Sequence, residues 1–369
     1  MNKTQKIETG MELVRILICL LIAYAAALVI LFLIADDPWF VIKTFITGPF
    51  SSPRRIGSVI NQSIPFILCG LSMCFVYAVN KFNLAAEGIF MMSGCMVALV
   101  GLSLADYNLP SIVMMIIVYA VAIVTGIVLD YIPAILDRKF NANVVVVSLM
   151  LNSIVGFFAY WVLQNKLADP KKSSVESRTI PASIQMPDLF GKLKVPAGLI
   201  IALVCTVIVS IVFYRTSFGW KMRIVGSNPR FAKATGLNVL SISFAAQLAG
   251  GALAGIAGAT EFMDNYKTFK WTTTTGHGFD GLLVAVLAKK NPRLVPIGAL
   301  FLAYIRIGAE YLNSKSNGAV PKEFITVIQG IIILLIAAES FLSGTKNKII
   351  FKEAQKRLDA EKAKNTAAA

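Results

Sequence analysis

Uncharged apolar runs of about 20 residues recur along this chain, each long enough to cross roughly 30 Å of hydrocarbon. In lipid such a run must be a helix, because only internal hydrogen bonds satisfy its N–H and C=O groups. Bounded by charge, proline or glycine, the runs predict spans at 13–35, 59–79, 84–104, 110–130, 144–164, 197–214, 239–262, 280–288, 294–312 and 323–343. The expected fold is therefore all-α, a polytopic integral membrane protein with about ten transmembrane segments. Hydrophobic residues are 56% of the chain and charged residues 15%, which excludes a disordered or fibrous chain and argues against a water-soluble globule.

The third and eighth spans stand apart. The third contains Glu87, Gly88, Gly94 and Gly101, and the eighth is too short to cross alone. Both are expected to be broken or re-entrant, which is tolerated only against protein or a water-lined cavity. With the N-terminus inside, one set of loops carries 21 Lys and Arg and the other 13, and Arg306 completes the 35. That bias places both termini in the cytoplasm. The expected organisation is a cytoplasmic N-terminus over 1–12, a transmembrane domain over 13–343 and a polar cytoplasmic tail over 344–369. Within it, the inner loop is 215–238 and the longest outer loop 165–196. The first span is longer than the apolar core of a secretory signal, and no small-residue cleavage site follows it.

Several chemistries are excluded. A single histidine, His277, and five cysteines without a C-x-x-C pair leave no metal site. No G-x-x-x-x-G-K-S/T phosphate loop occurs, so no nucleotide or other cofactor is expected on this chain, and no catalytic residue either. His277, in Gly276-His277-Gly278, reads as a glycine-flexed turn into the eighth span. The net charge of +15 needs no nucleic acid to explain it, since basic loops set orientation and meet anionic membrane lipid.

The inner loop is amphipathic. Asn228 suits the cap of a short helix starting at Pro229, with Phe231, Ala234 and Thr235 near one face, Arg230 and Lys233 towards water, and Gly236 as the stop. Such a capped helix is a rigid docking knob, or else a basic connector lying on lipid. Asn83 is placed to cap the third span, with Glu87 in its first turn, either facing its own helix dipole or holding a broken helix. Gly251 and Gly255, and the stripe Gly250, Ala254 and Gly258, put small residues four apart for close helix packing. Arg306 and Glu310 are spaced for an ion pair on one helix or for lining a pore.

The chain resembles the permease subunits of bacterial ABC importers of the nucleoside and simple-sugar class, more distantly those for ribose and branched-chain amino acids. Four stretches carry the likeness, within about residues 55–340: Phe82-Asn83-Leu84-Ala85-Ala86-Glu87-Gly88, Val147 to Asn152, Arg223 through Pro229 and Ala232 to Val239, and Gly278 to Leu287. The first is similar to the longer of the two permeases that nucleoside importers pair, with Ala85 and Ile89 where Gly and Gln are usual. The resemblance implies a transport subunit without its own ATPase site, multi-pass in the bacterial plasma membrane. Its partners would be an ATP-binding subunit that holds ATP and magnesium, a second permease and an extracytoplasmic binding lipoprotein. It further implies that Gly219, Arg223, Gly226, Asn228, Pro229, Ala232 and Gly236 belong to a coupling segment docking on the ATPase. For a nucleoside or monosaccharide path, Asn61, Gln62, Asn152 and Gln247, with Asn83, Glu87 and Gly88 at the broken helix, are the candidate lining.

Overall fold

The computed structural model describes residues 38–107, 109–191, 193–315 and Gly330; the predicted first and tenth spans and both terminal segments lie outside them. Two compact units are distinguished: residues 1–42 with 316–369, and Lys43–Lys315, which holds nearly all of the described structure. After α1 (Pro38–Thr47) come α2 (Pro53–Ala78), α3 (Ala86–Ser103), α4 (Ser111–Phe140), α5 (Val144–Val162) and α6 (Gly198–Arg215). Next are α7 (Ser217–Ser227), α8 (Pro229–Ala234), α9 (Val239–Asn265), α10 (His277–Leu287) and α11 (Val295–Lys315). Seven of the described helices are long and apolar enough to cross a membrane: α2, α3, α4, α5 with its extension to Leu167, α6, α9 and α11.

The fold is mostly rather than wholly helical, since Asp188–Phe190 and Val195–Pro196 form a short antiparallel pair in the 165–196 loop. The third span is also not broken. Helix α3 runs uninterrupted from Ala86, and the departure from helical geometry lies just ahead of it, around Lys81–Leu84. The eighth span is short as expected: α10 has 11 residues, about 16 Å of helix. Gly276 precedes it at φ 82°, the left-handed region that glycine enters without strain.

Helices α2 and α9 form the centre, with α9 packed on α4, α2 and α3, while α10 and α11 lie against α2. The small-residue stripes do what their spacing suggests. A Cβ on Gly251 would stand 2.6 Å from the Gly126 carbonyl oxygen, and one on Gly258 2.1 Å from that of Phe90. Those backbones meet because no side chain separates them. By contrast α4, α5 and α6 turn Ile116, Val124, Ile154, Phe157, Val204 and Val207 outward, each at least half exposed. Such a surface is stable only with hydrocarbon as its solvent.

The 165–196 loop is stitched down by its backbone. Ser177 N–H donates to Phe269 O at 2.9 Å, and Ile180 N–H to Lys267 O at 2.9 Å. Thr268 adds a hydroxyl hydrogen bond to Glu176 at 2.9 Å. That bond and the neighbouring Lys172 hold the Glu176 carboxyl below its ordinary value. The loop thus straps the non-helical segment Tyr266–Gly276 that leads to α10.

Candidate functional site

Non-helical backbone at membrane depth needs polar partners, and the entry to α3 finds them on α4, α5 and α9. Asn83 Nδ2 donates to Asp130 Oδ1 at 2.6 Å and to Gln247 Oε1 at 3.1 Å. Leu84 N–H donates to Ser148 Oγ at 3.0 Å. Asn152 accepts from Gly88 N–H at 3.0 Å and donates to Leu84 O at 2.8 Å. It thereby satisfies a first-turn donor of α3 from another helix. Asn83, Asp130, Ser148, Asn152 and Gln247 are all buried. Gln247 sits eight residues past Val239, the first residue of α9, about 12 Å from that end of the helix.

Asn83 does not cap the third span as expected. Ala85 holds the cap position, and the Asn83 side chain instead accepts from Ala85 N–H at 3.0 Å in a local turn while its amide reaches across to α4 and α9. Glu87 acts on a different helix from its own. Its carboxylate, fully buried, accepts from Gly276 N–H at 2.6 Å and Gly278 N–H at 2.8 Å, so it caps α10 and offsets that helix's positive end. Close backbone contact is needed for this, and a Cβ on Gly278 would lie 2.5 Å from Glu87 N. Asp130 is missed by the sequence reading, which ends a span on its charge. Helix α4 continues past it and Pro133 to Asn141, whose left-handed φ of 52° closes the helix.

Asn61 and Gln62 lie apart from this seam, on α2 one turn before Pro65. Asn61 exchanges amide hydrogen bonds with Asn265, the shorter at 2.5 Å. The Gln62 amide meets His277 Nε2 at 3.2 Å, and the imidazole stacks on Phe90 at 5.0 Å between ring centres. Arg306 pairs foremost with Asp280, at 2.5 Å, and only at 3.9 Å with Glu310. The i,i+4 contact is thus real but secondary, because α10 brings a better-buried carboxylate. Replacing Arg306 by methionine removes the guanidinium beside that buried carboxylate, and we expect a loss of about 3 kcal/mol. The midpoint of thermal unfolding in detergent would show it, and a second change, Asp280→Leu, should recover much of the loss.

The 215–238 loop holds two helices where one was expected. Thr216 caps α7 by accepting from Gly219 N–H at 3.2 Å. Asn228 caps α8 by accepting from Phe231 N–H at 3.0 Å, with Pro229 in the first position. Gly236, at φ 80°, ends it, as Leu237 N–H returns to Ala232 O at 3.0 Å. The buried face of α8 is Ala232, whereas Phe231, Ala234 and Thr235 are exposed with Arg230 and Lys233. Gly226 sets α7 against the end of α2, where a Cβ would be 2.1 Å from Ala78 O. Arg223 lies over the Tyr214 ring at 5.4 Å. Trp220 and Phe231 are each more than half exposed, and they give the rigid loop an apolar surface facing away from the helix bundle.

Comparison with known proteins bears on this geometry. The family described as branched-chain amino acid transport system / permease component matches residues 55–337. The guanosine ABC transporter permease NupP of Bacillus subtilis is 28% identical over 82% of this chain and 86% of its own length. The nucleoside ABC transporter permease NupB of Lactococcus lactis is 26% identical over 92% of both. The glucose ABC transporter permease TsgB13 of Haloferax volcanii is 25% identical over 82% of this chain and 80% of its own.

Proposed function

This chain belongs to the family of branched-chain amino acid transport system / permease components, and from that premise we propose that it is the membrane-spanning subunit of an ATP-driven ABC importer for nucleosides. In this reading ten spans carry both termini on the cytoplasmic side of a bacterial plasma membrane. A second permease completes the path, a binding lipoprotein delivers the solute, and an ATP-binding subunit holds nucleotide and magnesium. The observation that carries the reading is the doubly capped loop α7–α8, rooted on Ala78 through Gly226 and presenting Trp220 and Phe231. A rigid, braced knob between two spanning helices transmits displacement; a slack connector would absorb it.

The solute class follows from relatives that carry guanosine and other nucleosides, and the α10 cap is consistent with it. A helix N-terminus at membrane depth is a ready anion site, and Glu87 already fills the one on α10. A neutral solute needs no such site. Asn61 and Gln62, still partly accessible although bonded to Asn265 and His277, are the better path-lining candidates, because Asn83, Asn152 and Gln247 are buried. A monosaccharide is the second reading, favoured by the glucose-permease relative.

Uptake of labelled guanosine and of glucose, with the partner subunits co-expressed, tests the solute. ATP-independent uptake by the chain alone in liposomes would defeat the importer reading. Replacing Asn228 by alanine removes a cap worth about 1 kcal/mol. We expect it to lower uptake at least tenfold while the chain still reaches the membrane, read by transport and membrane abundance together. Lys233→Cys should react with impermeant reagents only after cells are permeabilised; labelling from outside would invert the proposed orientation.

A further inference from the structure

At the inner end of α6 a groove of about 330 Å³ is lined by Thr206, Val207, Ser210, Ile211, Arg215 and Arg293. Its wall is the outward face of a membrane-spanning helix, with Val207 and Ile211 more than half exposed, and its mouth carries two exposed guanidinium groups. Tyr214 gathers these elements. Its hydroxyl donates to Asn291 Oδ1 at 3.0 Å, tying the end of α6 to the turn before α11. The Arg293 guanidinium lies 4.2 Å from its ring centre. Among the described residues no carboxylate is within ion-pair distance of Arg215 or Arg293.

We propose that this groove seats one anionic phospholipid, with the phosphate held between Arg215 and Arg293 and an acyl chain along Val207 and Ile211. Planar guanidinium groups match phosphate in a two-pronged geometry. Basic pockets between helices at the inner face of a membrane suit anionic headgroups. The apolar wall selects a lipid over free phosphate, which would leave that wall uncovered. Arg215 immediately precedes Thr216, the cap of α7, so a bound lipid fastens the root of the inner loop to the bilayer surface. The proposal rests on α6 crossing the membrane and not on what is transported. Failure of the lipid site would leave the uptake reading intact, and failure of uptake would leave the site intact.

Native mass spectrometry of the full chain in neutral detergent, titrated with phosphatidylglycerol or phosphatidylcholine, tests it. We expect phosphatidylglycerol to be retained and phosphatidylcholine not. The double variant Arg215→Gln, Arg293→Gln should bind phosphatidylglycerol about thirtyfold more weakly, at about 1 kcal/mol per cation. Ser210→Trp, which fills the groove without changing charge, should also lose the lipid. The variant Arg230→Gln, Lys233→Gln, with the same charge removed elsewhere on the inner loop, should retain it. Equal retention of phosphatidylcholine would overturn the proposal, as would unaltered binding in either groove variant, an equal loss in the Arg230, Lys233 variant, or displacement by inorganic phosphate.

Discussion

Replacing Glu87 by alanine is expected to destabilise the protein by about 4 kcal/mol, at about 2 kcal/mol for each of the two N–H groups it would leave without an acceptor. Gly276 and Gly278 are held by opposite oxygens of one carboxylate, and no solvent reaches that position to replace them, since Glu87 is fully buried. Helix α10 would lose its anchor and its dipole partner together. Glu87→Gln keeps one acceptor oxygen and should lose about half as much. The thermal midpoint in detergent ranks the three proteins, and solute uptake should fall in the same order. An alanine variant as stable as the parent would mean that α10 is held by packing alone and that Glu87 does not anchor it.

Gly126→Ala should be comparably severe for a different reason. Its Cβ would sit 2.1 Å from Gly251 O and 3.3 Å from Gly255 Cα, so two backbones must separate, and α4 would be levered off α9. Overpacking of this kind costs about 3 kcal/mol, and we expect the variant to accumulate poorly in the membrane and to unfold at lower temperature. Gly156→Ala on α5 is the matched control. A Cβ there meets only Thr274 Cγ2, at 3.9 Å, so the gain in helix propensity, up to about 1 kcal/mol, is unopposed and stability should hold or rise. Equal behaviour of the two variants would remove close backbone contact as the basis of the α4–α9 seam.

Much of the helical framework is legible in the residues themselves. Apolar length marks seven of the eight predicted spans that fall within the described residues, because the cost of unpaired backbone in lipid leaves little else for such runs to form. Asn228, Pro229 and Gly236 announce α8, since capping chemistry is local and each residue acts within a few positions of itself. What sequence spacing conceals is contact over distance. Glu87 reads either as a first-turn acid of its own helix or as a brace for a broken one, and spacing does not name α10 as the source of its partners. Asp130 reads as the end of a span, yet it is a buried acceptor for Asn83, and α4 carries on for another ten residues to Phe140. Arg306 looks paired with Glu310 by periodicity, and only the packing of α10 on α2 and α11 reveals Asp280 as the closer partner. The exposed Phe231 is a further case. Periodicity sets it with Ala234 and Thr235 on one face, apart from Arg230 and Lys233, while a helix of six residues buries only Ala232 and leaves all five exposed.

The bond from Glu87 to Gly276 spans 189 residues of chain, and this has a consequence for biosynthesis. At roughly 5–20 residues per second, a ribosome needs about ten to forty seconds to make the intervening stretch. Throughout that interval the carboxylate has been synthesised but the amide donors it will accept from do not yet exist. The nascent segment around it must therefore wait, protonated or still in contact with water, and can be sealed into the bilayer interior only when the second half of the polypeptide arrives.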